Sequence, residues 1–278
     1  VGAGEGMTLQ PVIKWTGSKR HQADQIVSQF PKQIEIYHEP FVGGGSVMFR
    51  LLHSDIKVGK VVCSDICSPL IGLWNIIKSN HTELLKKYQD HHEKLKVDGR
   101  DYYFKIRESF NKDKDPTAFF FLLRTCRNGL VRFNGKGGFN SCFHDTRNGI
   151  EPERLQPILE DWHYKLAQVE FKVGDFSEVV GTETDFIYAD PPYVSGESFY
   201  DKKFDFTLFW NWLRSQKCDY AFSFNGVNQA AHQIPSDVFT KKTHTAKAVS
   251  AFRKLEYSRQ QRVDNIYHVE ESLYLKER

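Results

Sequence analysis

The sequence predicts an α/β protein built on an open, doubly wound sheet, and three observations carry that prediction. Strand-like and helical patterns alternate through residues 18–79. A glycine-rich turn, Val42-Gly43-Gly44-Gly45, joins a strand to a helix. A short apolar run, Phe186–Ala189, then delivers Asp190-Pro191-Pro192-Tyr193 at its C-terminal end.

Residues 1–9 are small, polar and Gly-rich. Their Gly-Ala-Gly-Glu-Gly follows no strand, so they read as a tail. Residues 14–20 read Lys-Trp-Thr-Gly-Ser-Lys-Arg and lead into the first helix. Trp15 is suited to cover the apolar body of a ligand, and Lys19 to meet a carboxylate. A strand over 34–38 is followed by Glu39-Pro40-Phe41-Val42 and the glycines, then by the helix Ser46–Leu52. Glycines in such a turn let backbone approach a ligand closely, so Phe41, Gly43 and Gly45 are expected to line it. After a strand over 58–64, Asp65 lies about twenty residues beyond the turn, where an acid meets ribose hydroxyls. The glycines lack the spacing of a dinucleotide fingerprint, and no lysine follows as in a phosphate loop. The ligand need not carry phosphate.

A helix over 69–78 leads into helical patterns that dominate residues 82–128. Tyr103, Ile106 and Phe110 recur at helical spacing and read as core, as does the apolar run over 118–126. Residues 130–143 alternate apolar and polar around Asn134-Gly135-Lys136-Gly137-Gly138, which predicts a hairpin. A polar-tipped hairpin fits the major groove of DNA. The helix Pro152–Leu166 returns to the sheet, and the strand Val169–Val173 ends in Gly174-Asp175-Phe176. Asp175 and Phe176 either close that strand or hold a flat base. A strand over 185–189, an amphipathic helix over 206–216, a buried strand over 220–224, and strands over 238–243 and 266–275 around a basic loop complete the chain.

With 278 residues, 40% of them hydrophobic, the chain is long enough for one large domain plus an insert. No apolar run approaches the roughly 20 residues of a membrane span, and no signal peptide is visible, so the cytoplasm is the expected location. The five cysteines are scattered, as reduced thiols are. Cys63 and Cys67 have no second pair, so zinc is not expected. Net charge is only +3, but residues 83–147 hold fourteen Lys/Arg against nine Asp/Glu, which leaves the remainder at −2. The basic stretch is the one suited to face DNA. Its Lys86-Lys87 and the lysines at 112 and 114 read as solvated helix faces.

In Asp190-Pro191-Pro192-Tyr193 the prolines supply no N–H, so their carbonyls and the Asp190 carboxylate are open to accept from an amino group. Tyr193 offers a ring face for stacking. That combination suits methyl transfer to an exocyclic amine.

Taken in order, the lysine-tryptophan segment, the Gly-rich turn, the inserted region and the Asp-Pro-Pro-Tyr resemble the Dam-like, D12 class of DNA adenine-N6 methyltransferases. The likeness runs from about Gln10 to Leu275. It implies a Rossmann-like methyltransferase sheet over 10–80 and 165–278, with a helical and β-hairpin DNA-recognition insert over 81–164. It implies S-adenosylmethionine as methyl donor, S-adenosylhomocysteine as product and no metal. Trp15, Lys19, Asp65 and Asp190 would contact the donor, and a flipped-out adenine would meet Asp190, Pro191, Pro192 and Tyr193. Asn128, Leu130, Arg132, Asn134, Lys136 and Asn140 would meet duplex DNA. Arg132 would hold a guanine through O6 and N7, with a phosphate contact as the other reading. The seven Lys/Arg of residues 241–262 would suit phosphate clamping. Family members commonly have Asn-Val-Pro-Phe where this chain has Asn140-Ser141-Cys142-Phe143, so the resemblance does not extend to the outer base pair of a GATC site. A cognate restriction endonuclease would be a further partner of a monomer or weak dimer in a bacterial or phage-infected cell. Action on RNA adenine or cytosine N4, and a non-catalytic DNA-binding relative, are the competing readings.

Overall fold

The computed structural model describes residues 10–192, 204–225, 234–249 and 268–277. Five strands run parallel: β1 (Gln33–Glu39), β2 (Lys57–Asp65), β3 (Val169–Val173), β4 (Phe186–Ala189) and β5 (Asp219–Asn225). With β6 (Lys241–Val249) and β7 (His268–Lys276) they form a seven-stranded sheet in the order β3-β2-β1-β4-β5-β7-β6, β7 being antiparallel to both neighbours. Every residue of β4 is buried, as expected of a central parallel strand covered on both faces. The chain winds outward from β1 to β2 and β3, then restarts beside β1 with β4 and β5. The switch point therefore falls between β1 and β4, and open sheets of this kind bind ligands at the C-terminal ends of such strands.

The helices are α1 (Ala23–Val27), α2 (Ser46–Leu52), α3 (Ser68–Asp113), α4 (Pro116–Thr125), α5 (Pro152–Leu166) and α6 (Phe206–Ser215). Local pattern places α2, α5 and β3 to the residue. The separate helices expected between 69 and 110 follow one another within α3, divided by non-helical backbone at Asn80 and at Gly99, where φ is +56°. Pro116 opens α4 behind Asp115, whose carboxylate accepts from the Thr117 N–H at 2.9 Å.

One apolar core runs from the sheet into α3, α4 and α5 and includes Tyr37, Trp74, Leu84, Phe119 and Trp162, and a second, around Phe176, Phe209 and Phe222, lies between the sheet and α6. Tyr103 and Phe110 of the aromatic stripe are buried in it. Near the end of α5, Trp162 stacks on Phe49 with ring centroids 3.8 Å apart and lies 5.2 Å from the Trp74 ring. Four of the five cysteines are buried, and all five are free thiols.

The expected hairpin forms, but it is short. Residues 130–143 turn back on themselves, but their only paired positions are isolated bridges, Phe133 with Phe139 and Cys126 with Phe143. The Asn134 N–H donates to the Gly138 carbonyl and the Asn140 N–H to the Arg132 carbonyl across the turn, and side chains of α3 take the outward-facing backbone groups. Asn111 donates to the Phe139 carbonyl and accepts from its N–H, while Tyr103 and Arg107 both donate to the Ser141 carbonyl. Lys114, expected as a solvated lysine, donates to the Gly137 carbonyl at 3.2 Å. Two further bonds tie this region to the N-terminal segment. The Val131 N–H donates to Thr16 Oγ1, and the Arg124 guanidinium donates to the Pro11 and Val12 carbonyls.

β6 carries a register shift between His244 and Ala246. The intervening Thr245 is buried, and its hydroxyl donates to Gln22 Oε1 at 3.0 Å. Bulges of this kind re-aim one side chain out of the ladder. Among the described residues no helix is long and apolar enough to cross a membrane.

Candidate active site

At the switch point the turn after β1 meets the end of β2. The Asp65 carboxylate accepts from the Gly43 N–H at 3.2 Å through Oδ2 and from the Cys67 N–H at 3.0 Å through Oδ1. Burial pushes its pKa up to about 6, against the pull of those N–H groups. Beside it Ile66 is an exposed apolar side chain.

The glycines make room for indoles of the protein itself. A Cβ on Gly43, where φ is +47°, would come within 2.8 Å of Trp15. On Gly45, where φ is +66°, it would meet Met48 at 2.8 Å and Trp74 at 2.9 Å. The Trp74 indole N–H donates to the Gly43 carbonyl at 3.0 Å and so pins the turn from below. Trp15 is half-buried, with its ring edge-on to Phe119. Phe41 stacks on Phe176 at 5.4 Å, and Phe176 is buried under it among Phe209 and Trp212. Asp175 spends its carboxylate on a cap: it accepts from the Ser177 N–H and hydroxyl, while Glu178 returns the bond to the Asp175 N–H.

Asp190 follows β4 directly. Its Oδ2 lies 2.9 Å from the ammonium of Lys19, which is only 4% exposed, and Glu271 Oε2 lies 3.8 Å from the same ammonium. Burial lowers the Lys19 pKa, but the Asp190 and Glu271 carboxylates outweigh it and hold the group above its ordinary value. The carboxylates that Lys19 meets here are the protein's own. Pro191 is buried and Pro192 exposed, while Tyr193 lies outside the described residues.

Sequence reasoning misses Glu39, Gln22 and Glu271. Glu39, at the end of β1, is buried and accepts from the Tyr37 hydroxyl at 2.6 Å and from the Met48 N–H. Burial, added to by the charge on Asp190, pushes its pKa up to about 8. Its position just before the Gly-rich turn is the available signal. Nothing local points to Glu271, which reaches Lys19 from the last strand.

Beyond the Trp15 segment opens a cleft of about 640 Å³. Lys14, Arg20, His21, Arg124, His144 and Arg147 line it, and among the described residues no Asp or Glu does. Burial, then the charges of Arg124 and Arg147, lowers the pKa of Lys14, as crowding of cations requires. Of the residues expected to meet DNA, Asn128 lines this cleft. Arg132, Lys136 and Asn140 are exposed on the hairpin, and Leu130 is half-buried. Asn134 is occupied within the hairpin, where its Oδ1 accepts from the Lys136 and Gly138 N–H groups and shapes the tip. The basic stretch 241–262 is described only as far as Val249. Among the described residues no cluster of His, Cys, Asp and Glu is placed to hold a metal.

Residues 15–268 match the family described as D12 class N6 adenine-specific DNA methyltransferase. The chain is 34% identical to the type II methyltransferase M.MjaIII of Methanocaldococcus jannaschii over 67% of its own length and 70% of that protein. It is 32% identical to the DNA adenine methylase of Escherichia coli K12, over 66% of this chain and 64% of that one. A third relative is the type II methyltransferase M1.LlaDCHI of Lactococcus lactis subsp. cremoris, 28% identical over 68% of this chain and 67% of that protein.

Proposed function

The chain belongs to the D12 class of N6 adenine-specific DNA methyltransferases, and from that premise we propose how its residues divide the work. The reaction is transfer of a methyl group from S-adenosylmethionine to the N6 amino group of adenine in DNA. The observation that carries the assignment of roles is the placing of Asp190 at the switch point, beside the Gly-rich turn and paired with buried Lys19.

The crevice fits the donor. Asp65 offers a carboxyl at the end of β2, Ile66 an exposed apolar surface, and Trp15 and Phe41 aromatic walls next to Gly43 and Gly45. When bound, S-adenosylmethionine supplies a methyl group made electrophilic by its sulfonium. The adenine amine is a poor nucleophile because its lone pair is delocalised into the ring. Asp190 and the Pro191 carbonyl accept its hydrogens, which favours tetrahedral nitrogen and the positive charge that grows on it. Lys19 fixes the Asp190 carboxylate through a charge-assisted hydrogen bond, so the acceptor is in place before reaction. Asp65 accepts from the ribose, and Phe176 supports Phe41 from beneath. The base reaches Asp190 only after leaving the duplex stack, and Tyr193 stacks on it there.

For the duplex, the acid-free cleft provides backbone contacts and the hairpin provides base contacts. Arg147→Ala should weaken all DNA sequences about equally and lower the salt slope by about 0.9 units. Arg132→Ala should relax one base pair beside the target, a discrimination of roughly 1–3 kcal/mol. Methylation of a library substituted at each position around the adenine separates the two. A uniform loss for Arg132→Ala makes it a phosphate contact.

Cofactor affinity should depend on pH through Asp65. The carboxylate is the better acceptor for ribose hydroxyls, and its pKa stands at about 6. Affinity should therefore fall as pH drops through 6, and Asp65→Asn should be weaker at pH 8 by about 1.5–3 kcal/mol, with little pH dependence left. Calorimetric titration at pH 5.5 and pH 8 checks this. Equal wild-type affinities at the two pH values would remove Asp65 from the ribose site.

The direct test of the reading is incubation of the chain with duplex DNA and labelled S-adenosylmethionine, followed by nucleoside mass spectrometry. N6-methyladenine is the expected product. Label in N4-methylcytosine, or in RNA alone, would overturn the substrate assignment.

A further inference from the structure

The polar network behind Asp190 reaches across the sheet to strands that neither the Gly-rich turn nor the Asp-Pro-Pro-Tyr belongs to. Thr245, put out of register by the β6 bulge, donates to Gln22 Oε1. Gln22, itself buried, donates through Nε2 to Glu271 Oε2. That same Glu271 oxygen lies 3.8 Å from the Lys19 ammonium, which holds Asp190 at 2.9 Å. The Thr245 hydroxyl also reaches the Glu271 carbonyl at 3.3 Å, which fixes the β7 backbone at this position. A glutamate on the last strand is thereby oriented by two neutral groups and aimed at a cation it shares with Asp190.

We propose that Glu271 is a positioning residue for methyl transfer: it competes with Asp190 for Lys19 and so keeps the Asp190 carboxylate a stronger acceptor toward the amine. The proposal rests on the role given to Asp190 above. One ammonium serves two carboxylates, so the trio carries one net negative charge. Without the Glu271 charge, Lys19 would commit wholly to Asp190, which would become a weaker acceptor toward substrate. Among the described residues, the other titratable groups facing Asp190 and Lys19 are Tyr188 of β4 and Glu39 of β1, the latter bonded to Tyr37. Neither replaces a charge lost at Glu271: Tyr188 is buried with its hydroxyl on Ser223, its pKa raised well above the ordinary value, and Glu39 is largely protonated at neutral pH.

Glu271→Gln keeps the shape and can still accept from Gln22, so the network's packing is retained. At saturating DNA and S-adenosylmethionine its kcat should fall about tenfold, the scale of coupling within one salt-bridge network. Donor affinity and the KM for DNA should hold within about twofold. The acid limb of the kcat profile should move to lower pH, because Asp190 loses a neighbouring negative charge. Glu271→Asp should return the limb to its wild-type position. A kcat within about twofold of wild type overturns the proposal. So does a fall in kcat with the acid limb unmoved, since that marks a merely structural contact. Wild-type activity on the same duplex is measured first. Its absence would sink the assigned reaction, whereas an active wild type with an unaltered Glu271→Gln profile would sink only the role of Glu271.

Discussion

Asp190→Asn should reduce single-turnover methyl transfer by about a thousandfold while leaving duplex affinity within about twofold of wild type. Asparagine preserves the outline of the side chain and one acceptor oxygen. It removes the charge that stabilises a nitrogen becoming cationic. It also strips Lys19 of the Asp190 charge at 2.9 Å, while Glu271 stays 3.8 Å from that ammonium. Some loss of stability should accompany the change, because a buried cation that loses a partner is costly. Asparagine is therefore a better probe than alanine, which would leave a hole as well. DNA affinity should survive because it comes mostly from phosphate contacts made elsewhere. Rapid quench with labelled donor and anisotropy with a labelled duplex give the two numbers. Wild-type turnover in Asp190→Asn would end the proposed mechanism.

The second large effect is on the scaffold. Trp74→Ala should lower stability by about 3–5 kcal/mol, the usual cost of deleting a fully buried aromatic side chain. Trp74 is 0% exposed, stacks on Phe171 at 5.5 Å, lies against Trp162 and fills the space that the missing Cβ of Gly45 leaves open. Trp74→Phe separates packing from hydrogen bonding. It keeps an aromatic ring but loses the donor to the Gly43 carbonyl, so that bond should account for about 1 kcal/mol of its cost. Donor affinity should weaken in both variants, because Gly43 is held by Trp74 on its carbonyl and by Asp65 on its N–H. Urea unfolding and calorimetric titration measure the two effects. An unchanged donor affinity in Trp74→Phe would mean that Asp65 alone sets the turn.

Much of this fold is legible because its signals are local. The helix Ser46–Leu52 follows glycine directly, and Pro152–Leu166 carries its proline at the first turn and its buried leucines at helical spacing. The hairpin over 130–143 is legible too, with backbone bonds between Asn134 and Gly138 and between Asn140 and Arg132, but its docking through Asn111, Arg107 and Tyr103 depends on a helix that sequence pattern cannot place against it. The glycines stand where the turn requires them, and protein indoles, Trp15 and Trp74, pack against them. Sequence alone does not distinguish a backbone that approaches a ligand from one that makes room for Trp15 and Trp74. Asp65 and Asp190 stand out because each ends an apolar strand. Glu271 does not, since its meaning depends on Gln22, 249 residues away in the chain. An acid that acts through strand pairing and a bulge leaves no spacing to read.

The joint between the insert and the N-terminal segment carries a thermodynamic obligation. Arg124 on α4 grips the carbonyls of Pro11 and Val12, and the hairpin residue Val131 is tied to Thr16, so both arms hold the strip of chain that presents Trp15. The Arg124 guanidinium is buried there, and desolvation brings its pKa down to about 10. A duplex that shifts the hairpin or α4 thus acts on the same backbone that walls the donor crevice. Binding free energies linked in this way are reciprocal. Whatever factor the duplex imposes on donor affinity, the donor must impose on affinity for the duplex. Any such coupling between the two substrates would run through the hydrogen bonds of Arg124 and Val131 to the N-terminal segment.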